Sequence, residues 1–126
     1  MMRATLAFAG LSGVVAIALG AWMAHGATAV VDPHSLEWVR TGVQYQAWHT
    51  VALVGVAVLM AVRPGRFLGA AATAFAVGVL LFSGSLYGLA LTGARTFAYI
   101  TPVGGVALIA GWLLLAIYGL SLDRRG

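Results

Sequence analysis

The sequence predicts an all-α integral membrane protein, a bundle of four spanning helices. Three observations predict it. Of the 126 residues, 62% are hydrophobic and only 8% are charged, against roughly 25% charged in a soluble domain. The mean hydropathy is +1.00. The apolar residues also gather into four runs of about 20, the length that crosses a bilayer, and no Asp, Glu, Lys or Arg interrupts any of them. So few polar side chains cannot cover a water-facing surface, so the solvent is lipid. The length is that of one domain, residues 1–126.

The first run, "ATLAFAGLSGVVAIALGAWMA", predicts a helix over about residues 4–24. Arg3, this run and the "ATA" at 27–29 also resemble a secretory signal. The run is longer than the usual signal core and carries Gly10, Gly13 and Gly20 at packing intervals, so we read it as a retained helix. Asp32 followed by Pro33 reads as an N-cap with proline at the first helical position. The second helix is therefore predicted over 33–62. Its first turns mix Leu36, Trp38 and Val39 with Glu37 and Arg40, an amphipathic stretch suited to the interface. The "RPGR" at 63–66 is a tight turn. The third helix is predicted over 67–91 and the fourth over 102–122, with Thr101 before Pro102 as its cap.

All seven cations are arginine, and the formal charge is +4. They are scattered between apolar runs and not gathered on one face, so nucleic acid is not the expected partner and topology is what they encode. Four spans place both termini and the second link on one side, with Arg3, Arg63, Arg66, Arg124 and Arg125. Arg40 and Arg95 fall on the other. The positive-inside rule puts the larger group, and with it both termini, in the cytoplasm.

In lipid, helices associate through close packing at small residues. Ala9, Gly13, Ala16 and Gly20 form such a stripe on the first helix. Ala70, Ala74 and Gly78 form one on the third, and Gly104, Ala107 and Gly111 one on the fourth. Membrane lipids, further copies of the chain or a larger membrane complex are the expected partners.

The polar residues are unevenly spread. His49 lies about 21 Å from Arg63 along a helix, at 1.5 Å per residue. By the same measure His25, Gln46, His49, Ser83, Ser85, Tyr87 and Thr101 all fall in the half of the bundle far from the termini. They are candidates for a polar ligand pocket, or for hydrogen bonds that tie helices together. His49 leads them, because an ionisable group inside a span is a functional hypothesis by default. Trp112, mid-span on the fourth helix, reads as core packing. His34 reads as an exposed link residue.

The absence of cysteine excludes disulfides and thiolate chemistry. No metal-binding, nucleophile-elbow or phosphate-loop motif occurs. A Ser83–His49 pair would need an orienting acid, and the spans hold none. No resident cofactor is expected. Haem held by His25 and His49 is the remote alternative. A non-enzymatic protein is expected, either self-associating or an accessory subunit. The alternative is a module that binds or transports a lipid, a quinone-like molecule or a small ion.

"GAWMAHG", "GVQYQAWH", "LFSGSLYGLALTG" and "TPVGGVALIAGWLLLA" resemble the signature segments of the small integral membrane proteins grouped as domain of unknown function 423, which are similar to transmembrane protein 256. The resemblance spans about residues 5–117. It departs most at "GAWMAHGAT", where the family usually has Phe and Gly before Ala-His-Gly. It implies a multi-pass protein of the bacterial inner membrane with four helices, the first retained, and it supplies no activity. Its motifs include His25, Gln44, Tyr45, Gln46, His49, Ser83, Gly84, Ser85, Tyr87, Thr101, Pro102, Gly104, Gly105 and Trp112.

Overall fold

A computed structural model describes residues 1–124. Arg125, one of the five cations counted on the terminal side, lies outside the described residues. Four helices follow one another: α1 (Met2–His25), α2 (Pro33–Val62), α3 (Arg66–Thr92) and α4 (Thr96–Asp123). Each is long and apolar enough to cross a membrane. Large apolar side chains face outward along all of them, as Val103, Val106, Ile109, Leu113, Ile117 and Leu120 do on α4. In water such a surface would aggregate. In lipid it is the solvated surface.

Three helices begin and end within two residues of expectation, and α2 matches at both ends. Its start is fixed locally. The Asp32 carboxylate accepts from the Ser35 backbone N–H at 2.9 Å and from the Ser35 hydroxyl at 2.8 Å. Both bonds favour the ionised form, the backbone one most, and hold the Asp32 carboxyl below its usual value. Pro33 occupies the first helical position, where its missing N–H costs nothing.

The fourth helix departs from expectation. It starts at Thr96, so Pro102 lies inside it and Thr101 is a helical residue, not a cap. The α3–α4 link shrinks to Gly93, Ala94 and Arg95, with Gly93 in the left-handed region at φ 69° as the α3 C-cap. The reason is packing. The Phe97 ring lies over the bare backbone of Gly88, where a Cβ would stand 2.7 Å from it. A chain at this depth must bond its backbone internally. Continuing the helix through Pro102 forfeits one backbone bond, whereas unwinding 96–101 would forfeit several.

The helices pack in chain order, α1 on α2, α2 on α3 and α3 on α4. Among the described residues, α1 meets α3 only briefly, and the α4 backbone approaches α3 alone. The apolar core fills the half of the bundle nearer the termini. Leu53 and Val56 of α2 meet Leu68, Ala72, Phe75 and Val79 of α3, with Ala9, Leu108 and Tyr118 closing the sides. The Tyr118 hydroxyl donates to the Arg63 carbonyl at 2.5 Å, so α4 also ties down the end of α2.

The α3–α4 seam is the closest. A Cβ on Gly104 would collide with the Phe82 backbone, 2.7 Å from its Cα. Gly78 receives Leu108 and Gly111 receives the Phe75 ring in the same way. Of the small-residue stripes foreseen, Gly78 on α3 and Gly104 and Gly111 on α4 meet in this interface, whereas Ala70 is exposed. Gly119 faces open space, which makes it an internal control. Gly104→Ala is expected to destabilise by about 1–3 kcal/mol, the cost of overpacking against immovable atoms. Gly119→Ala is expected to be neutral or to stabilise by up to about 1 kcal/mol through helix propensity. Thermal unfolding of both variants in detergent checks the opposite signs.

Candidate functional site

The polar side chains that bond between the spans lie mostly at mid-depth or in the half of the bundle far from the termini. They form three groups, each joining different helices.

The first group joins α1, α2 and α3. Gln46 is buried on α2. Its amide nitrogen donates to the Ser12 carbonyl at 2.9 Å and to the Ser12 hydroxyl at 3.2 Å. Its amide oxygen accepts from the Tyr87 hydroxyl at 2.6 Å. Ser12 also shares a hydrogen bond with Thr50 at 2.7 Å. One glutamine amide therefore bridges three helices. The Tyr87 ring reaches it by lying across Gly42, where a Cβ would stand 2.6 Å from the ring. Beside it Ser83, fully buried, donates to the Gly42 carbonyl at 2.7 Å.

The second group joins α2 to α4. His49 Nε2 lies 3.0 Å from Trp112 Nε1. An indole nitrogen can only donate, so Nε2 accepts. The ring proton then sits on Nδ1, which donates to the Tyr45 carbonyl at 2.6 Å. Tyr45, Phe75 and Trp112 surround the imidazole with rings, their centroids 5.5–6.3 Å away. Both nitrogens are engaged, and the single lone pair His49 could offer a metal or haem already takes the Trp112 proton.

The third group joins α3 to α4. The Ser85 and Thr101 hydroxyls lie 2.6 Å apart, and each also contacts a carbonyl of its own helix, Phe82 and Phe97 respectively.

Six of the seven candidates, Gln46, His49, Ser83, Ser85, Tyr87 and Thr101, thus lie in these interhelical bonds. His25 does not. It is exposed at the end of α1, apart from the three groups. Sequence reasoning missed Ser12, Thr50 and Gly42, and it took Trp112 for packing where it is a donor that links two helices. Ser12 had a signal, being the only hydroxyl between Leu6 and Ala21.

The arrangement limits the chemistry. Ser83 is bonded to a carbonyl and not to His49, so the two form no nucleophile–base pair. Among the described residues, every buried side-chain nitrogen and oxygen has a hydrogen-bond partner. No three of His, Asp or Glu there lie close enough to hold a metal.

Beside the first group a groove runs between α1 and α3, floored by α2. Phe8, Ser12, Gln46, Leu80, Gly84 and Tyr87 line a volume of about 320 Å³. It meets a second volume of about 310 Å³ at Phe8 and Leu80, which continues past Ala4, Leu53 and Ala76 toward the termini. The groove exists because α1 leans on α2 and barely touches α3. It opens sideways, to lipid.

A double-mutant cycle tests the three-helix bridge. Tyr87→Phe and Gln46→Leu are expected to couple by about 0.6 kcal/mol and by no more than about 1.7, the range for hydrogen bonds between spanning helices. Additive effects in bicelle unfolding would mean that the two groups do not bond.

Residues 19–105 match the family described as "Protein of unknown function (DUF423)". The UPF0382 inner membrane protein YgdD of Escherichia coli (strain K12) is 43% identical over 124 residues, covering 98% of this chain and 95% of that protein. A UPF0382 membrane protein of Haemophilus influenzae is 41% identical over 119 residues, covering 94% of each. The UPF0382 membrane protein YwdK of Bacillus subtilis is 35% identical over 119 residues, covering 92% of this chain and 95% of that protein. None of these names carries an enzymatic activity, and no solved structure matches. The match over residues 19–105 and relatives aligned over nearly its whole length show that this chain belongs to the DUF423 family of membrane proteins.

Proposed function

We propose that this protein is a non-catalytic scaffold of the bacterial inner membrane, working by association within the bilayer as a homo-oligomer or as an accessory subunit of a larger complex. One observation carries the reading. Six of the seven polar candidates are bonded to one another, to neighbouring spans or to backbone, in an arrangement that holds helices and leaves no buried side-chain nitrogen or oxygen unpaired among the described residues. What the protein offers a partner is then its apolar face. On α4 that face is a continuous ridge from Val103 to Leu120, on a helix whose backbone meets α3 alone. The arginine count supports cytoplasmic termini, four described cations on that side against Arg40 and Arg95 on the other.

A second reading has its own observation, the groove between α1 and α3. A hydrophobic molecule with one polar group could lie there, its chain along Phe8 and Leu80 and its polar end at Gln46 and Tyr87. Gly84 faces open space on the groove wall, so Gly84→Leu would fill the groove without disturbing the helices.

Native mass spectrometry of the protein released gently from membranes separates the two. The scaffold reading expects a defined oligomer or heteromer whose stoichiometry Gly84→Leu leaves unchanged. A monomer holding one non-phospholipid molecule per chain, lost in Gly84→Leu, would overturn it in favour of the second.

A further inference from the structure

At the end of the bundle that carries the termini, α3 begins beside the last turns of α4. A notch of about 340 Å³ lies between them, lined by Arg66, Phe67, Ile117, Leu120, Ser121 and Arg124. It lies apart from the groove between α1 and α3 and shares only Ile117 and Leu120 with the α4 ridge.

Two chemistries meet in the notch. Its polar end is lined by two arginines, Arg66 at the start of α3 and Arg124 just past the end of α4. The Arg66 guanidinium carbon sits 4.9 Å above the Phe67 ring, which holds one face of the group and leaves its N–H edge available. Among the described residues, neither arginine has a carboxylate within 4 Å; the one ion pair there is Glu37–Arg40, on α2. Asp123 precedes Arg124 and does not line the notch. Arg66 is also the first residue of α3, whose N-cap Gly65 provides no side-chain acceptor, so the first backbone N–H groups of the helix add to the positive end. Ser121 contributes no donor, because its hydroxyl proton goes to the Tyr118 carbonyl at 2.6 Å.

The other end of the notch is apolar. Leu120 is 71% exposed and Ile117 45% exposed. Both belong to the lipid-facing ridge of α4, which runs from the arginines toward the middle of the bilayer. A free anion would use only the guanidinium end. A phospholipid would use both, its phosphate between the arginines and an acyl chain along Ile117 and Leu120.

We infer that this notch is a binding site for one anionic phospholipid, recognised through its phosphate by Arg66 and Arg124. Basic pockets between spanning helices at a membrane surface suit such headgroups. A zwitterionic lipid brings the same phosphate with a compensating cation, which the two arginines repel.

The test uses the full-length protein, with phosphatidylglycerol and phosphatidylcholine as probes and retained lipid counted by native mass spectrometry. One phosphatidylglycerol per chain is expected to bind at least about fivefold more tightly than phosphatidylcholine. Each arginine replaced by glutamine is expected to weaken phosphatidylglycerol about fivefold, so Arg66→Gln with Arg124→Gln loses about 25-fold. Arg3→Gln, at the same end on α1 but outside the notch, is expected to bind as the parent does. Equal retention of the two lipids by the unmodified protein would overturn the inference, and that comparison needs no variant to fold. So would equal losses in Arg3→Gln and the double variant. Inorganic phosphate competing as effectively as phosphatidylglycerol would also overturn it, by making the site one for a free anion.

Discussion

Lipid cannot hydrogen-bond, and the rest of this structure depends on that constraint. A polar side chain placed on a span must find its partner inside the protein. Gln46 meets the constraint with both ends of its amide, donating to Ser12 on α1 and accepting from Tyr87 on α3. His49 meets it with both ring nitrogens, one toward its own helix and one toward α4. Each bond is individually modest. Together they set the rotation of every helix about its axis, because turning α2 by one residue would strand Gln46, His49 and Thr50 at once.

The bundle therefore holds together by two means. Shape joins α3 to α4 along the whole seam, with Phe75 fitted against Gly111, Leu108 against Gly78 and Phe97 against Gly88. Polar ties add to it, Ser12 linking α1 at mid-depth and Trp112, Thr101 and Tyr118 linking α4, so each outer helix has a polar tie to the central pair. The α4 ties matter most, since that helix has a single backbone neighbour. The lean of α1 away from α3 leaves the lateral groove, and the polar bridge of Gln46 and Tyr87 forms part of its wall.

Much of this was legible in the sequence where the signal is local. Asp32 and Pro33 fixed the start of α2 because cap and proline act within one turn. The four spans were legible from length and apolar content. Depth was legible too, since 1.5 Å per residue brought Gln46, His49, Ser83 and Tyr87 to matching heights. Rotation was not. Ser12 was passed over because nothing in α1 alone says which face meets Gln46. Trp112 was read as packing because an indole mid-span is mostly apolar area, and its one N–H matters only once His49 is known to face it. Thr101 was read as a cap because proline usually marks a helix start. Here tertiary contact at Phe97 and Gly88 overrode that local preference.

The central claim is that the distal polar residues are committed to one another across the helices. Nitrogen-15 NMR of the His49 imidazole in lipid bilayers tests it most directly. The account predicts a neutral ring with its proton on Nδ1 and an Nε2 that accepts, with the Nε2 signal shifting when Trp112 is replaced by Phe. A proton on Nε2, or an Nε2 signal indifferent to Trp112→Phe, would contradict it and leave His49 free to bind something else.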